Sequence, residues 1–129
     1  MTLKVSQVFN AAVTIEQMHI RHELPYRTVR ALQQLKRTLK TEADNVRGEQ
    51  VKLIDLYHGK VKEDGRIAFA DCADLSAFEA AWNRLLEDDA DMDAVPVDLS
   101  AYADFINFGS ADADIEALGN FIKFERDES

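Results

Sequence analysis

Cysteine and long apolar runs are scarce in this sequence of 129 residues. The only cysteine, Cys72, cannot form an intramolecular disulfide, and its acidic neighbours Asp71 and Asp74 disfavour a reactive thiolate. No stretch approaches the ~18 consecutive apolar residues of a membrane span, and the N-terminus lacks the charged and apolar regions of a signal peptide. We therefore expect a cytoplasmic protein without a membrane segment.

Motifs that bind phosphates or activate nucleophiles are also missing. The five glycines form neither a GxxxxGKS/T loop nor a GxGxxG loop, and no GxSxG motif is present. His19 and His22 have an i, i+3 spacing, but there is no HExxH pattern, and Glu16 or Glu23 would have to complete a metal site. We therefore expect no cofactor, no metal site and no enzymatic activity.

One aspartate-rich stretch resembles the start of an EF-hand calcium loop. Asp89, Asp91 and Asp93 stand at its first three alternating ligand positions. Ala94, however, occupies the position where glycine makes the turn, and Ser100 occupies the twelfth position, which needs a bidentate glutamate. The stretch therefore does not predict a calcium site.

The net charge of −9 is unevenly distributed along the chain. Residues 1–60 contain ten Lys/Arg and six Asp/Glu, a net charge of +4, whereas residues 61–129 contain five and eighteen, a net charge of −13. Two segments of the second half concentrate the candidate partner-binding carboxylates, which are Glu87, Asp88, Asp89, Asp91, Asp93, Asp112, Asp114 and Glu116. Such a surface attracts a basic protein partner, although it also serves simply to keep a small protein soluble.

Apolar periodicity predicts two helices in the first half of the chain. Apolar residues recur every three or four positions over residues 5–20, which is typical of an amphipathic helix. Pro25 suits the start of a second helix that extends to about Tyr57, with a seven-residue repeat at Leu32, Leu39, Val46 and Leu53. Because Glu42, Gly48 and Glu49 weaken a coiled-coil reading, we expect an antiparallel hairpin of the two helices.

The second half predicts short strands and helices. Asp64 and Gly65 form a turn before a strand at residues 67–69, which we expect to pair with a second strand at residues 95–99. Ser76 and Glu79 form a capping box for a helix over residues 77–87. Ser100 is expected to cap a short helix that stops at Gly109, and Ser110 or Asp112 another that stops at Gly119.

These elements together predict an α+β, mainly helical fold. It consists of an N-terminal antiparallel helical hairpin with one long helix, a small two-stranded antiparallel β element and short C-terminal helices. The length fits a single domain over residues 1–129, with the helical hairpin at about 5–58 and an α+β cap at about 64–124.

The order of these features resembles a family of small phage-encoded proteins of unknown function. The layout that carries the resemblance covers about residues 3–125 and consists of Val5–Val8, Glu23–Arg27, Lys52–Tyr57, Asp64–Gly65, Phe78–Leu86 and Val95–Leu99. The family has no agreed activity or catalytic residues. The resemblance therefore implies a phage or prophage origin and assigns no site.

Three functions follow as hypotheses. The first is a non-enzymatic interaction protein of the host cytoplasm, which binds a host or phage protein through the acidic segments and inhibits a host defence or nucleic-acid-handling machine. The second is a virion component or assembly chaperone that self-associates through the long helix, so both a monomer and a small homo-oligomer stay open. The third is nucleic-acid binding by the basic face of the long helix, at Arg27, Arg30, Lys36, Arg37, Lys40 and Arg47. Interspersed acidic residues argue against this third hypothesis.

Overall fold

The computed structural model describes residues 2–109 and 113–124. Its helices are α1 (Val5–Gln17), α2 (Tyr26–Leu56), α3 (Cys72–Glu87) and α4 (Ile115–Leu118), with a 3-10 helix at Ser100–Phe105. Its strands are β1 (Thr2–Lys4), β2 (His19–Ile20), β3 (Lys60–Val61), β4 (Ile67–Ala68), β5 (Asp89–Asp91), β6 (Val97–Asp98), β7 (Ile106–Asn107) and β8 (Ile122–Lys123). Helices dominate and the strands form small two-stranded sheets, which confirms the α+β, mainly helical class.

Helix α1 is shorter than its apolar period predicts. The helix ends at Gln17 because the backbone of Met18 is extended, with φ −77° and ψ 127°. His19 and Ile20 then form strand β2, which pairs antiparallel with β7. The predicted continuation of the helix to residue 20 is therefore wrong: the ladder with β7, a strand some 90 residues away in sequence, replaces the last helical turn.

Helix α2 is a single helix of 31 residues that begins directly after Pro25. It packs against α1, and its buried side chains are Leu32, Leu35, Leu39, Ala43, Val46 and Ile54. The seven-residue repeat is thus buried within its own chain at Leu32, Leu39 and Val46, whereas its last member, Leu53, is half-buried. Leu56, at the end of the helix, is 64% exposed.

Helix α2 ends in a Schellman motif. The N–H of Gly59 donates to the carbonyl of Ile54 at 2.7 Å, and the N–H of His58 donates to Asp55 at 3.2 Å. His58 occupies the left-handed position of the motif, with φ 62°, where glycine is usual. At Gly59 the reason for glycine is space, because a Cβ there would lie 2.7 Å from Cε1 of Phe69.

The strand pairing differs from the prediction. Strand β4 pairs antiparallel with β3 across the turn at Asp64 and Gly65, and β6 pairs in parallel with β8. The expected pairing of residues 67–69 with residues 95–99 is therefore wrong. The short turn brings β3 next to β4 at small entropic cost, so this local pairing prevails.

Helix α3 begins at Cys72, five residues before the predicted start. Asp71 is the N-cap, and its Oδ1 accepts a hydrogen bond of 2.8 Å from the N–H of Ala73. Ser76 and Glu79 consequently lie inside the helix, so the predicted capping box is wrong. A capping aspartate placed earlier in the chain adds another turn to the helix.

The C-terminal helices are shorter than predicted. The helix that starts at Ser100 is a 3-10 helix and ends at Phe105, because Ile106 has extended backbone and enters β7. Helix α4 has Asp114 as its N-cap and Gly119 as its C-cap. The alternative caps, Ser110 and Asp112, lie outside the described residues.

One cluster of buried apolar residues joins most of these elements. It consists of Val8, Ala11, Ala12, Ile15, Met18, Leu32, Leu35, Leu39, Ala43, Met92, Val97, Leu99, Ala117, Leu118, Phe121 and Ile122. The cluster lies between α1, the N-terminal part of α2 and the C-terminal segments, and it therefore holds these segments against α1.

Within residues 2–109 and 113–124, no helix is both long enough and apolar enough to cross a membrane.

Candidate acidic interaction surface

The first acidic segment is anchored at the start of α1. Strand β5, which contains Asp89 and Asp91, pairs antiparallel with β1. The N–H of Val5 donates to the carbonyl oxygen of Asp88 at 2.9 Å. Because that N–H belongs to the first turn of α1, where amide groups lack helical partners, the contact both caps the helix and fixes the segment.

Two carboxylates of this segment have partners on β1. Glu87 forms an ion pair with Nζ of Lys4. The hydrogen bond and the charge of Glu87, with a smaller contribution from Asp89, raise the pKa of the Lys4 ammonium above its usual value. The hydroxyl of Thr2 donates to Oδ1 of Asp91 at 2.6 Å. These contacts hold the strand pair together at its edges.

The second acidic segment is attached to the middle of α1 by Asp114. Its Oδ1 accepts a hydrogen bond from the N–H of Ala117 at 3.0 Å and so caps α4. Its own N–H donates to Oγ1 of Thr14 at 3.0 Å, and its Oδ2 lies 3.4 Å from Nδ2 of Asn10. Thr14 is only 1% exposed, and its hydroxyl donates to the carbonyl of Asn10 at 2.8 Å. Asp114 therefore has a structural function.

A polar pocket of about 280 Å³ opens beside this attachment. Its walls are Gln7, Asn10, Asp114, Glu116, Ala117 and Asn120. The oxygens of these carboxylates and amides accept hydrogen bonds, and an ammonium or guanidinium group donates several. The pocket is therefore suited to the side chain of a lysine or arginine.

Both acidic segments are attached to α1, although about twenty residues separate them in sequence. Asp88 contacts Val5, and Asp114 contacts Asn10 and Thr14, so both contacts fall within the first three turns of the helix. We call the surface formed by residues 87–93, residues 114–116 and the exposed side of α1 the acidic surface. Its exposed carboxylates outside the contacts above are Asp88, Asp89, Asp93 and Glu116. Asp112, also predicted to bind a partner, lies outside the described residues.

His19 and His22 both follow the end of α1, so their i, i+3 spacing does not place them on one helix face. His19 is exposed on β2 and stands opposite Asn107. The ring of His22 lies against Tyr102 and Phe105, with centroid separations of 5.2 and 4.6 Å. In the described part of the chain, no three His, Cys, Asp or Glu residues are placed to hold a metal ion.

The six basic residues of α2 that the nucleic-acid hypothesis names differ in exposure and in their contacts. Arg47 pairs with Asp44 at 3.4 Å, and its guanidinium carbon lies 5.4 Å from the centre of the Phe9 ring. Lys36 is half-buried. The remaining four, Arg27, Arg30, Arg37 and Lys40, are exposed, and none of them takes part in the ion pairs found within residues 2–109 and 113–124.

Known proteins offer no template for this site. No protein family, no curated protein and no solved structure matches the chain.

Several residues that shape the acidic surface carry no sequence signal of that role. Lys4 and Thr2 precede α1 and are separated from their acidic partners by more than eighty residues. Thr14 and Asn10 belong to α1, and the segment they hold lies about one hundred residues away. The only local indication is that Thr14 stands next to Ile15 on the apolar side of the helix, where a buried hydroxyl needs a partner.

Proposed function

We propose that this chain is a non-enzymatic, phage-type interaction protein whose acidic surface binds a basic patch on a host or phage protein. By occupying that patch, it inhibits a host defence or nucleic-acid-handling machine in the host cytoplasm. In this proposal α1 and α2 form the antiparallel helical hairpin on which the surface is built. The observations that support it are that Asp88, Asp89, Asp93 and Glu116 are exposed and that both of their segments are attached to α1.

The partner's chemistry follows from the surface. Exposed carboxylates attract lysine and arginine and accelerate association by electrostatic steering, which weakens as the ionic strength rises. The pocket beside Glu116 adds a place where one cationic side chain is held by several oxygens. A protein that handles nucleic acid displays this kind of basic surface toward phosphates.

Self-association through the seven-residue repeat of α2 receives less support from the fold. Three of its four residues, Leu32, Leu39 and Val46, are buried against their own chain and are not available to a second helix, and the fourth, Leu53, is half-buried. An assembly role would therefore need another surface of the molecule.

The proposal is tested by capture from host lysate with isosteric variants. The variant Asp88→Asn/Asp89→Asn/Glu116→Gln removes three negative charges while retaining side-chain shape. We expect the tagged wild-type protein to enrich a basic host or phage protein and the variant to bind that purified protein about tenfold more weakly or worse, as measured by calorimetry.

The matched control is Asp55→Asn/Glu63→Gln/Asp104→Asn, which changes the net charge equally at exposed carboxylates outside the acidic surface. This control should bind like the wild type. If it weakens binding as much as the first variant, net charge alone is responsible. If neither variant changes binding, or if no partner is enriched, the acidic surface is only solubilising and the proposal fails.

A further inference from the structure

A hollow of about 170 Å³ lies between α2 and the segment that follows β5. Its walls are Ala31, Gln34, Leu35, Thr38, Asp93, Ala94 and Val95. Leu35 is 3% exposed and forms its apolar floor. A cavity of roughly 150 Å³ accommodates a benzene molecule, so the hollow has room for one aliphatic side chain.

An exposed aliphatic side chain stands beside this hollow. Val95 is 80% exposed, the largest exposed fraction among the large apolar residues of the described chain. It follows Ala94 and precedes Pro96, which restricts the local backbone to an extended form. The molecule thus carries an apolar projection and an apolar hollow in the same patch.

The two sides of the hollow carry opposite charges. On one side lies the exposed carboxylate of Asp93. On the other side Gln34 belongs to α2, where Arg30 and Arg37 precede and follow it by about one helical turn and are therefore its surface neighbours. Both arginines are exposed and take part in no ion pair among the described residues.

This combination identifies the kind of partner. A nucleic acid would satisfy the arginines but be repelled by Asp93, and a basic protein would satisfy Asp93 but be repelled by the arginines. A second copy of the chain, related by a two-fold axis through the hollow, satisfies both sides at once. In that arrangement Asp93 of each copy faces Arg30 and Arg37 of the other, and Val95 of each copy enters the other's hollow.

We propose that the chain forms a two-fold symmetric homodimer through this patch, which we call the bipolar patch. It is distinct from the repeat of α2 that is buried in the core, and it leaves Asp88, Asp89 and Glu116 uncovered for the proposed partner. One hydrophobic contact and one pair of charges per side correspond to a small interface, so the dimer is expected to dissociate in the micromolar range.

The first experiment measures self-association by sedimentation velocity between about 5 and about 500 µM protein, at about 50 mM and about 500 mM NaCl. We expect a monomer–dimer equilibrium at both salt concentrations, because high salt weakens the local charge pairs but also screens the repulsion between two chains of net charge −9. Val95→Asp and the uncharged Val95→Ser should each lower the association constant about tenfold or more. Because Val95 is exposed, both variants should retain the circular dichroism of the wild type.

The second experiment uses complementary charge reversal. Asp93→Lys places two cationic sides opposite each other, and Arg30→Glu/Arg37→Glu places two anionic sides opposite each other, so each variant alone should be monomeric. Mixed in equal amounts, they restore attraction at both ends of the interface and should form a heterodimer. Lys62→Glu is the matched control and should dimerise normally, because Lys62 is exposed in the turn between β3 and β4 and belongs to neither side of the bipolar patch.

Several outcomes would overturn the inference. A wild-type protein that stays monomeric at the highest concentration and the lower salt concentration has no such dimer. A dimer that persists in both Val95 variants, or a mixture that does not recover association, uses another surface. If a labelled single-stranded oligonucleotide binds the wild-type monomer but not the variant Arg30→Glu/Arg37→Glu, the arginines bind nucleic acid and not a second copy. Asp93 belongs both to the bipolar patch and to the acidic surface, whereas Val95, Arg30 and Arg37 belong to the bipolar patch alone. The Val95 variants and Arg30→Glu/Arg37→Glu leave the acidic surface unchanged, so their failure is distinguishable from failure of the proposed function.

Discussion

Two regions of this molecule hold their buried residues in different ways. Around α1, the main apolar cluster is combined with polar contacts, such as the bonds of Thr14 and Asp114, that connect distant segments. At the distal end of α2, a few residues outside that cluster, Ile54, Phe69 and Phe78, pack around the Schellman motif. The acidic surface lies on the first region.

The difference indicates where mutations should matter for function. A surface that binds through fixed charges depends on a rigid support, because loose side chains lose entropy when they bind. The region around α1 supplies this support through strand pairing, helix capping and a buried hydroxyl. The distal region should tolerate change with little effect on the acidic surface.

The largest effect on the free energy of unfolding is expected from a cavity in the main apolar cluster. Leu39 is fully buried, whereas Leu56 on the same helix is 64% exposed. Leu39→Ala should lower the free energy of unfolding by about 2–5 kcal/mol, and Leu56→Ala should change it by less than about 0.5 kcal/mol. Urea denaturation measures both. Equal losses in the two variants would contradict the division into regions.

An intermediate effect is expected from the buried hydroxyl that connects α1 to the second acidic segment. Thr14→Val keeps the shape but leaves the N–H of Asp114 without its acceptor, which should cost about 1–3 kcal/mol of unfolding free energy. It should also weaken partner binding, because Asp114 loses one of its two contacts with α1 and is then held only through Asn10.

The control for this prediction is Thr41→Val. The hydroxyl of Thr41 also bonds the carbonyl four residues earlier, that of Arg37, at 3.0 Å, but it is exposed on α2. Its loss should change the free energy of unfolding by less than about 0.5 kcal/mol. Similar costs at both positions would show that the helical bond, and not the connection to Asp114, is what Thr14 contributes.

Features that depend on local periodicity could be predicted from the sequence, and those that depend on distant partners could not. The spacing of Leu32, Leu35 and Leu39 is a local property, and these residues are buried as expected. The end of α1 at Gln17 depends on β7, and the parallel pairing of β6 depends on β8. The residues of β2 and β6 give no indication in the sequence that β7 and β8 are their partners.

The candidate site shows the same limit. The carboxylates of the acidic surface were identified because aspartate runs are visible in the sequence. That Asp114 caps α4 while Glu87 pairs with Lys4 depends on contacts across the fold. The sequence therefore predicts the sign of the surface, whereas the division between structural and free carboxylates requires coordinates.

The smallest predicted effect lies in the distal region and has the opposite sign. His58 adopts φ 62° at the end of α2, a conformation that costs a residue with a Cβ about 1–2 kcal/mol. Replacing it with glycine removes this cost but adds about 0.5–1 kcal/mol of entropy lost on folding. His58→Gly should therefore raise the free energy of unfolding by up to about 1 kcal/mol, measured by urea denaturation, and leave partner binding unchanged.

His58→Ala, which keeps a Cβ, is the control and should give no such gain. If His58→Gly destabilises the protein, the imidazole makes a contact that outweighs the backbone strain, and the distal region is more tightly held than its packing indicates.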